Sequence, residues 1–317
     1  MSDSVGQPLR PGAAHWLRRW HLPVALIAAL FLLEGTVRII DPIRRFIHPH
    51  TNDYDLAMWD VYSRPAAAGQ PAAFIFGSSV AREGFDGQWI SQHCGVQTWN
   101  VALTSVQVHE FENMGLPLSP DSTLVFAVNA LMFDDRQRSD PAMPWNRDER
   151  VPWIIGRRDE LSALLLHRTR RLARIALGRE ADPVTEGKAR RQYRYDGRLP
   201  ENELAEMKRA MLARYVEDRR QHDERNLASF GELCERAEQG AFHMEVVWLP
   251  LADAELDRRF ADVRARVMEI AHKHGIAVHD FTSLGLSDQD FHDYGHVLAS
   301  GRKRYSEELA RILRRGA

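Results

Sequence analysis

Cysteine is nearly missing from this sequence, with Cys94 and Cys234 the only two among 317 residues. That is too few for a disulfide framework and leaves one bridge or two buried thiols as the alternatives. An excess of one charge is missing as well. Lys and Arg number 42 against 44 Asp and Glu, a net charge of −2, so composition points to no nucleic acid or other polyanion as partner. No tandem repeat or low-complexity tract stands out.

A long uninterrupted hydrophobic run is also lacking. The most apolar stretch, Leu22 to Leu33, is shorter than the roughly 20 residues that a bilayer span needs. Extension to Ile40 reaches that length only by taking in Glu34 and Arg38. These two are one helical turn apart with the acid first, so they share a face and can pair. No small-x-small cleavage site follows Leu33, and the reading is an uncleaved transmembrane anchor over 21–40. A short cytoplasmic N-terminus, 1–20, would precede it. Arg10, Arg18 and Arg19 before the span balance Arg38, Arg44 and Arg45 after it, so the positive-inside rule does not decide orientation. The short N-terminus and the large C-terminal body favour the body outside.

A Pro-containing juxtamembrane connector, 41–71, leads to the remaining domain, 72–317. Ala72 to Phe76 is wholly apolar, as expected of a parallel strand covered on both faces, and it runs into Gly77-Ser78-Ser79. Further strands are expected at Gln97 to Ala102, Ser122 to Val128, Met244 to Leu249 and Ile276 to Phe281. Helices are expected from about Val106, over Ala254 to His274, and at the C-terminus. This alternation predicts an α/β fold, a parallel sheet with helices on both faces. A charged, helical insertion, 136–240, separates the third strand from the fourth. It reads as a cap with a solvated basic face, or as a surface for anionic lipid headgroups or an acidic glycan.

Functional groups in such sheets collect at the carboxyl ends of strands. Three ends carry candidates: Ser79 after the first strand, Asn129 after the third, and Asp293 and His296 after the fifth. Acyl transfer needs a nucleophile, a base, a group orienting the base, and donors for the oxyanion. The spacing Asp293-x-x-His296 lets one short loop supply both the base and its orienter. A metal site from His292, Asp293 and His296 is the weaker reading, because no other clustered ligands complete it. The segment Gly77-Ser78-Ser79-Val80-Ala81 is also close to the nucleophile elbow of α/β-hydrolases. That fold, however, places several strands ahead of its serine, and only one apolar strand precedes Ser79.

Taken in order, the blocks Gly77-Ser78-Ser79, Asn100 to Ser105, Ala127-Val128-Asn129 and Asp293-x-x-His296 resemble those of the SGNH (GDSL-type) hydrolase family. They are most similar to its membrane-anchored bacterial branch, which includes the teichoic-acid D-alanyl transfer protein and the alginate O-acetylation proteins. Ser78 stands where the family usually has Asp, and Ser105 and Ala127 where it usually has Gly. The resemblance implies a three-layer, flavodoxin-like α/β/α domain. It implies Ser79 as nucleophile, His296 as base, Asp293 as its orienter, and an oxyanion hole from the Asn129 side chain and the N–H groups of Ser79 and Ser105. No cofactor and no metal are implied. The expected activity is that of a serine O-acyltransferase or esterase that adds or removes acyl groups, acetyl first among them, on a cell-surface glycan. The expected partner is a membrane-bound O-acyltransferase, and the expected location is the bacterial inner membrane with the domain on the periplasmic or extracellular side. The alternative is a non-catalytic anchored subunit that keeps the fold to bind a glycan or scaffold a complex.

Overall fold

The computed structural model describes residues 70–103, 106–133, 197–215 and 219–316, together with single positions 25, 28, 29, 32, 61, 174, 177 and 195. In chain order, β1 (Ala72–Gly77) enters α1 (Ser79–Gly84), followed by α2 (Gly87–Cys94) and β2 (Gln97–Asn100). A 3₁₀ turn at Val108–Met114 precedes β3 (Ser122–Val128), and a second, Ala130–Phe133, follows it. Then come α3 (Glu201–Tyr215), α4 (Arg219–Glu238), β4 (His243–Trp248), α5 (Ala254–Arg259), α6 (Ala261–Lys273), β5 (Ala277–Asp280) and α7 (Ala299–Gly316).

The five strands form one sheet in the order β2-β1-β3-β4-β5, and every pairing is parallel. The chain steps from β1 to one side to make β2, then crosses to the other side of β1 to make β3. That reversal opens a crevice at the carboxyl ends of β1 and β3, where doubly wound sheets bind their ligands. All six residues of β1 are buried, because strand side chains alternate between faces and both faces are covered. Phe74, Phe76, Leu124, Phe126 and Trp248 pack on one face against Phe230 of α4 and Val267 of α6. Ala73, Ile75, Val125, Ala127 and Val247 pack on the other against Ile90 of α2 and Tyr305 and Leu309 of α7.

The expected strands all form, with ends displaced by a residue or two. Two expected helices differ. The one from Val106 is a 3₁₀ turn held by Gln107 and Glu110 as a capping box and ended by Gly115 at φ 59°. The stretch Ala254 to His274 breaks into α5 and α6 at Phe260, whose side chain is buried in the core. The expected cap is in part a core layer. Leu227, Phe230, Leu233 and Cys234 of α4 are buried against the sheet, because a parallel connection from β3 to β4 needs a crossover element. Both cysteines are free thiols, and burial pushes that of Cys234 up to about 12.

Most of the anchor reading, 21–40, lies outside the described residues. Ala25, Ala28, Ala29 and Leu32 are helical and exposed, and among the described residues no helix is long and apolar enough to cross a membrane.

Candidate active site

The site begins where β1 ends. Gly77 pairs with Ala127 of β3, and a Cβ there would press into the Ala127 carbonyl oxygen and the Ala81 methyl. Only glycine lets α1 turn this tightly onto the sheet. Two serines follow, and the structure separates them. Ser78 is buried, and its Oγ accepts a hydrogen bond from Asn129 Nδ2 at 3.2 Å. Ser79, the first residue of α1, is partly exposed and has its Oγ 2.9 Å from His296 Nε2.

Asn129 is 1% exposed. Its Oδ1 accepts from Leu131 N at 3.0 Å, which fixes the amide so that Nδ2 points toward Ser78. One of the two Nδ2 hydrogens is used by Ser78. Ser105, the other expected side of the oxyanion hole, lies outside the described residues.

Asp293 and His296 arrive from the far edge of the sheet. β5 stands three strand positions from β1, a separation of about 14 Å at normal strand spacing. The segment between β5 and α7 therefore runs back over the strand ends, and hydrogen bonds pin it along the way. Ala252 N donates to Tyr294 O at 2.9 Å, and Tyr294 Oη donates to Leu204 O at 2.9 Å. Phe291 and Val297 form an antiparallel bridge. Asp290 accepts from Ser287 N at 2.8 Å, Ser287 Oγ at 3.0 Å and Ser300 Oγ at 2.6 Å. A Cβ at Gly301 would lie 2.9 Å from Asp290 O, so α7 can start this close to the loop only with glycine there.

Within the loop, Asp293 Oδ1 accepts from the N–H groups of Gly295 and His296, each at 2.8 Å. Its Oδ2 lies 2.8 Å from His296 Nδ1. A carboxylate only accepts, so Nδ1 is the donor, and the neutral ring presents a lone pair at Nε2 to the Ser79 hydroxyl. Asp293 is 8% exposed. Burial pushes its carboxyl up, but the His296 ring and the two amides outweigh that, holding it below the ordinary carboxylate value. It stays charged wherever an imidazolium beside it would need stabilising.

His292 joins the loop to the segment before α3. Its Nδ1 donates to Gly197 O at 2.5 Å, and its carbonyl accepts from Leu199 N at 2.8 Å. Tyr195 stacks on its ring at 3.9 Å between centroids. His292 thus spends its Nδ1 on Gly197 O and its ring face on Tyr195, and it does not converge with Asp293 and His296 as a metal ligand. Among the described residues, no group of three His, Cys, Asp or Glu is placed to hold a metal.

Three further residues shape the site in roles that the sequence reading did not assign to them. Asn100 Nδ2 lies 3.1, 3.1 and 2.9 Å from the carbonyls of Ala81, Arg82 and Phe85, satisfying the C-terminal end of α1. No local pattern announces it, because its partners lie a strand and a helix away. The signal that could have found Asp290 is the capping-box pattern Ser287-x-x-Asp290. Tyr195 reaches the site only through the tertiary fold.

No protein-family model and no curated protein matches the sequence. Among solved structures the chain is similar to an α/β hydrolase from the metagenome of Lake Arreo, Spain, with 12% identity over 78% of this chain and 97% of the other and a TM-score of 0.41. It is similar to Est24, a carbohydrate acetylesterase from Sinorhizobium meliloti, with 9% identity over 78% of this chain and 100% of the other and a TM-score of 0.39. A protein of the G-D-S-L family from Desulfitobacterium hafniense DCB-2 is similar with 12% identity over 77% of this chain and 99% of the other, at a TM-score of 0.36.

Proposed function

We propose that the protein transfers acyl groups from esters by way of an acyl-Ser79 intermediate. One observation carries this reading: the unbroken relay from Asp293 Oδ2 to His296 Nδ1 at 2.8 Å and from His296 Nε2 to Ser79 Oγ at 2.9 Å. Its two halves come from segments 217 residues apart in the chain. His296 takes the Ser79 proton as Oγ attacks the ester carbonyl, and Asp293 stabilises the imidazolium. The oxyanion that forms is held by the second N–H of Asn129 Nδ2 and the backbone N–H groups of Ser79 and Ser105. Removal of one such donor typically costs about 10²–10³ in rate. Collapse breaks the ester C–O bond, and His296 gives its proton to the departing alkoxide. A second alcohol or a water then attacks acyl-Ser79 by the reverse proton path. Water makes the protein an esterase, and a sugar hydroxyl makes it a transferase.

The finer part of the reading concerns setting. An anchor over 21–40 would hold the domain on the periplasmic or extracellular face of a bacterial inner membrane, acting on acetyl groups of a cell-surface glycan. A membrane-bound O-acyltransferase would deliver the acyl group and meet Glu34 and Arg38 in the anchor. The apolar run, its two paired charges and the order of the motif blocks support this part.

The test is treatment of the full-length protein with a fluorophosphonate probe, with the adduct mapped by mass spectrometry. Labelling confined to Ser79 and lost in Ser79→Ala and His296→Ala is the expected outcome. Absence of labelling in the folded wild type would overturn the reading in favour of a binding subunit.

A further inference from the structure

We propose that Tyr195 forms the wall of the subsite for the alcohol half of the ester, and that this wall is built for a sugar ring. The inference rests on the acyl-Ser79 reading above and concerns which side of the substrate Tyr195 meets. The two sides of the site can be told apart. The carbonyl oxygen belongs to the Ser78–Asn129 side, between the ends of β1 and β3. The alcohol oxygen belongs to the His296 side, because the same Nε2 that deprotonates Ser79 must hand the proton to the leaving alkoxide and later take one from the acceptor. That oxygen therefore lies about 3 Å from Nε2 in the productive geometry, and the carbon skeleton attached to it extends over the His296 loop.

Tyr195 stands over that loop. Its ring centroid is 5.5 Å from that of His296 with the planes inclined at 53°, and 3.9 Å from that of His292 at 14°. His292 is itself held in place, giving its Nδ1 hydrogen to Gly197 O and its N–H to His296 O at 2.8 Å. The result is a partly exposed aromatic surface beside the proton-transferring nitrogen. An aromatic face carries negative charge from its quadrupole, and the axial C–H bonds of a pyranose present the matching positive edge. The ring of a saccharide can lie on such a surface with its hydroxyls still turned to solvent. A short acyclic alcohol offers no such face and makes no use of it.

The experiment compares esters with the same acetyl group and different alcohols, using the full-length protein. Wild type is expected to prefer an O-acetylated methyl glucoside to ethyl acetate. In Tyr195→Ala, kcat/KM for the glucoside acetate should fall about tenfold, with less than a twofold change for ethyl acetate. Tyr195→Phe should keep the preference, and Tyr195→Leu, which keeps apolar bulk without an aromatic face, should lose it. The ratio of ethyl acetate to ethyl butyrate turnover should stay unchanged in all three. Equal loss on both acetates, an altered acyl preference, or a wild type with no preference for the glucoside acetate would each overturn the proposal. Failure of the underlying reading would show separately, as a wild-type Ser79 that the fluorophosphonate does not label. Circular dichroism melting of each variant separates loss of selectivity from loss of fold.

Discussion

The two halves of the site are held in different ways. Ser79 and Asn129 stand directly at the ends of paired central strands, where Gly77 and Ala127 are neighbours in register. Their positions follow from sheet topology and close packing. Asp293 and His296 lie in an irregular loop that crosses back from the sheet edge, tied down by side-chain and backbone hydrogen bonds to Asp290, Leu204 and Gly197. The Ser79–Asn129 half thus shares the stability of the core strands, while the Asp293–His296 half depends on hydrogen bonds that hold an irregular loop in which Asp290, Asp293 and Tyr294 are buried. Segments of this second kind open at a smaller free-energy cost than core strands, so substitutions in the two halves should separate fold from activity.

Gly77→Ala should be the most damaging to the fold. Overpacking against backbone typically costs 1–3 kcal/mol and occasionally more, and here neither the Ala127 carbonyl nor α1 can yield without opening the sheet. The variant is expected to lose about 3 kcal/mol, roughly 10 °C in Tm, by thermal denaturation. A wild-type melting curve would show that the Ser79–Asn129 half is less tightly bound to the core than its packing indicates.

Asp290→Asn should do the reverse, changing labelling of Ser79 more than global stability. Burial pushes the Asp290 carboxyl up, but the donors from Ser300 and Ser287 outweigh it and hold it below the usual 3.8. The unfolded chain therefore binds this proton more tightly than the folded one. The stabilisation is complete above the unfolded value and is lost as pH falls through the lower folded value. Wild type should lose stability between about pH 5 and 2, and Asp290→Asn should show a shallower acid slope, with Asp293 and Glu308 supplying part of what remains. The rate of fluorophosphonate labelling at neutral pH should drop about tenfold as the loop loosens. An unchanged acid slope together with an unchanged labelling rate would break the distinction between the two halves.

The smallest expected effect is a gain. Tyr305 is fully buried between Phe85 and Phe281, and its hydroxyl has no hydrogen-bond partner among the described residues. Tyr305→Phe removes that unpaired group at constant shape and should stabilise the protein by about 1 kcal/mol, with Ser79 labelling unchanged. A loss of stability would show that the hydroxyl is satisfied in solution.

Much of the Ser79–Asn129 half was legible before the structure. The run Ala72 to Phe76 is apolar at every position, which only a strand covered on both faces requires, and glycine and serine directly after it mark a tight strand-to-helix turn. Asp293 and His296 were legible as a pair because their contact is local, within one turn of chain. Less was legible where partners are distant. Asn100 reads as a residue within the second strand, and its role at the carbonyls of α1 depends on how β2 lies beside β1. The stretch Arg219–Glu238 reads as a charged helix, and only its place against Phe126 shows it to be a core layer.

The sequence by itself determined the strands, the alternation that makes the sheet parallel and covered, and the identities of serine, asparagine, aspartate and histidine at successive element ends. These are encoded locally, in side-chain periodicity and in turns of a few residues. Only the tertiary structure decided that Ser78 is buried against Asn129, that the loop from β5 spans three strand positions to reach Ser79, and that Tyr195 stands beside His296. Those facts depend on strand order and on hydrogen bonds between residues far apart in the chain, and no local pattern of residues specifies them.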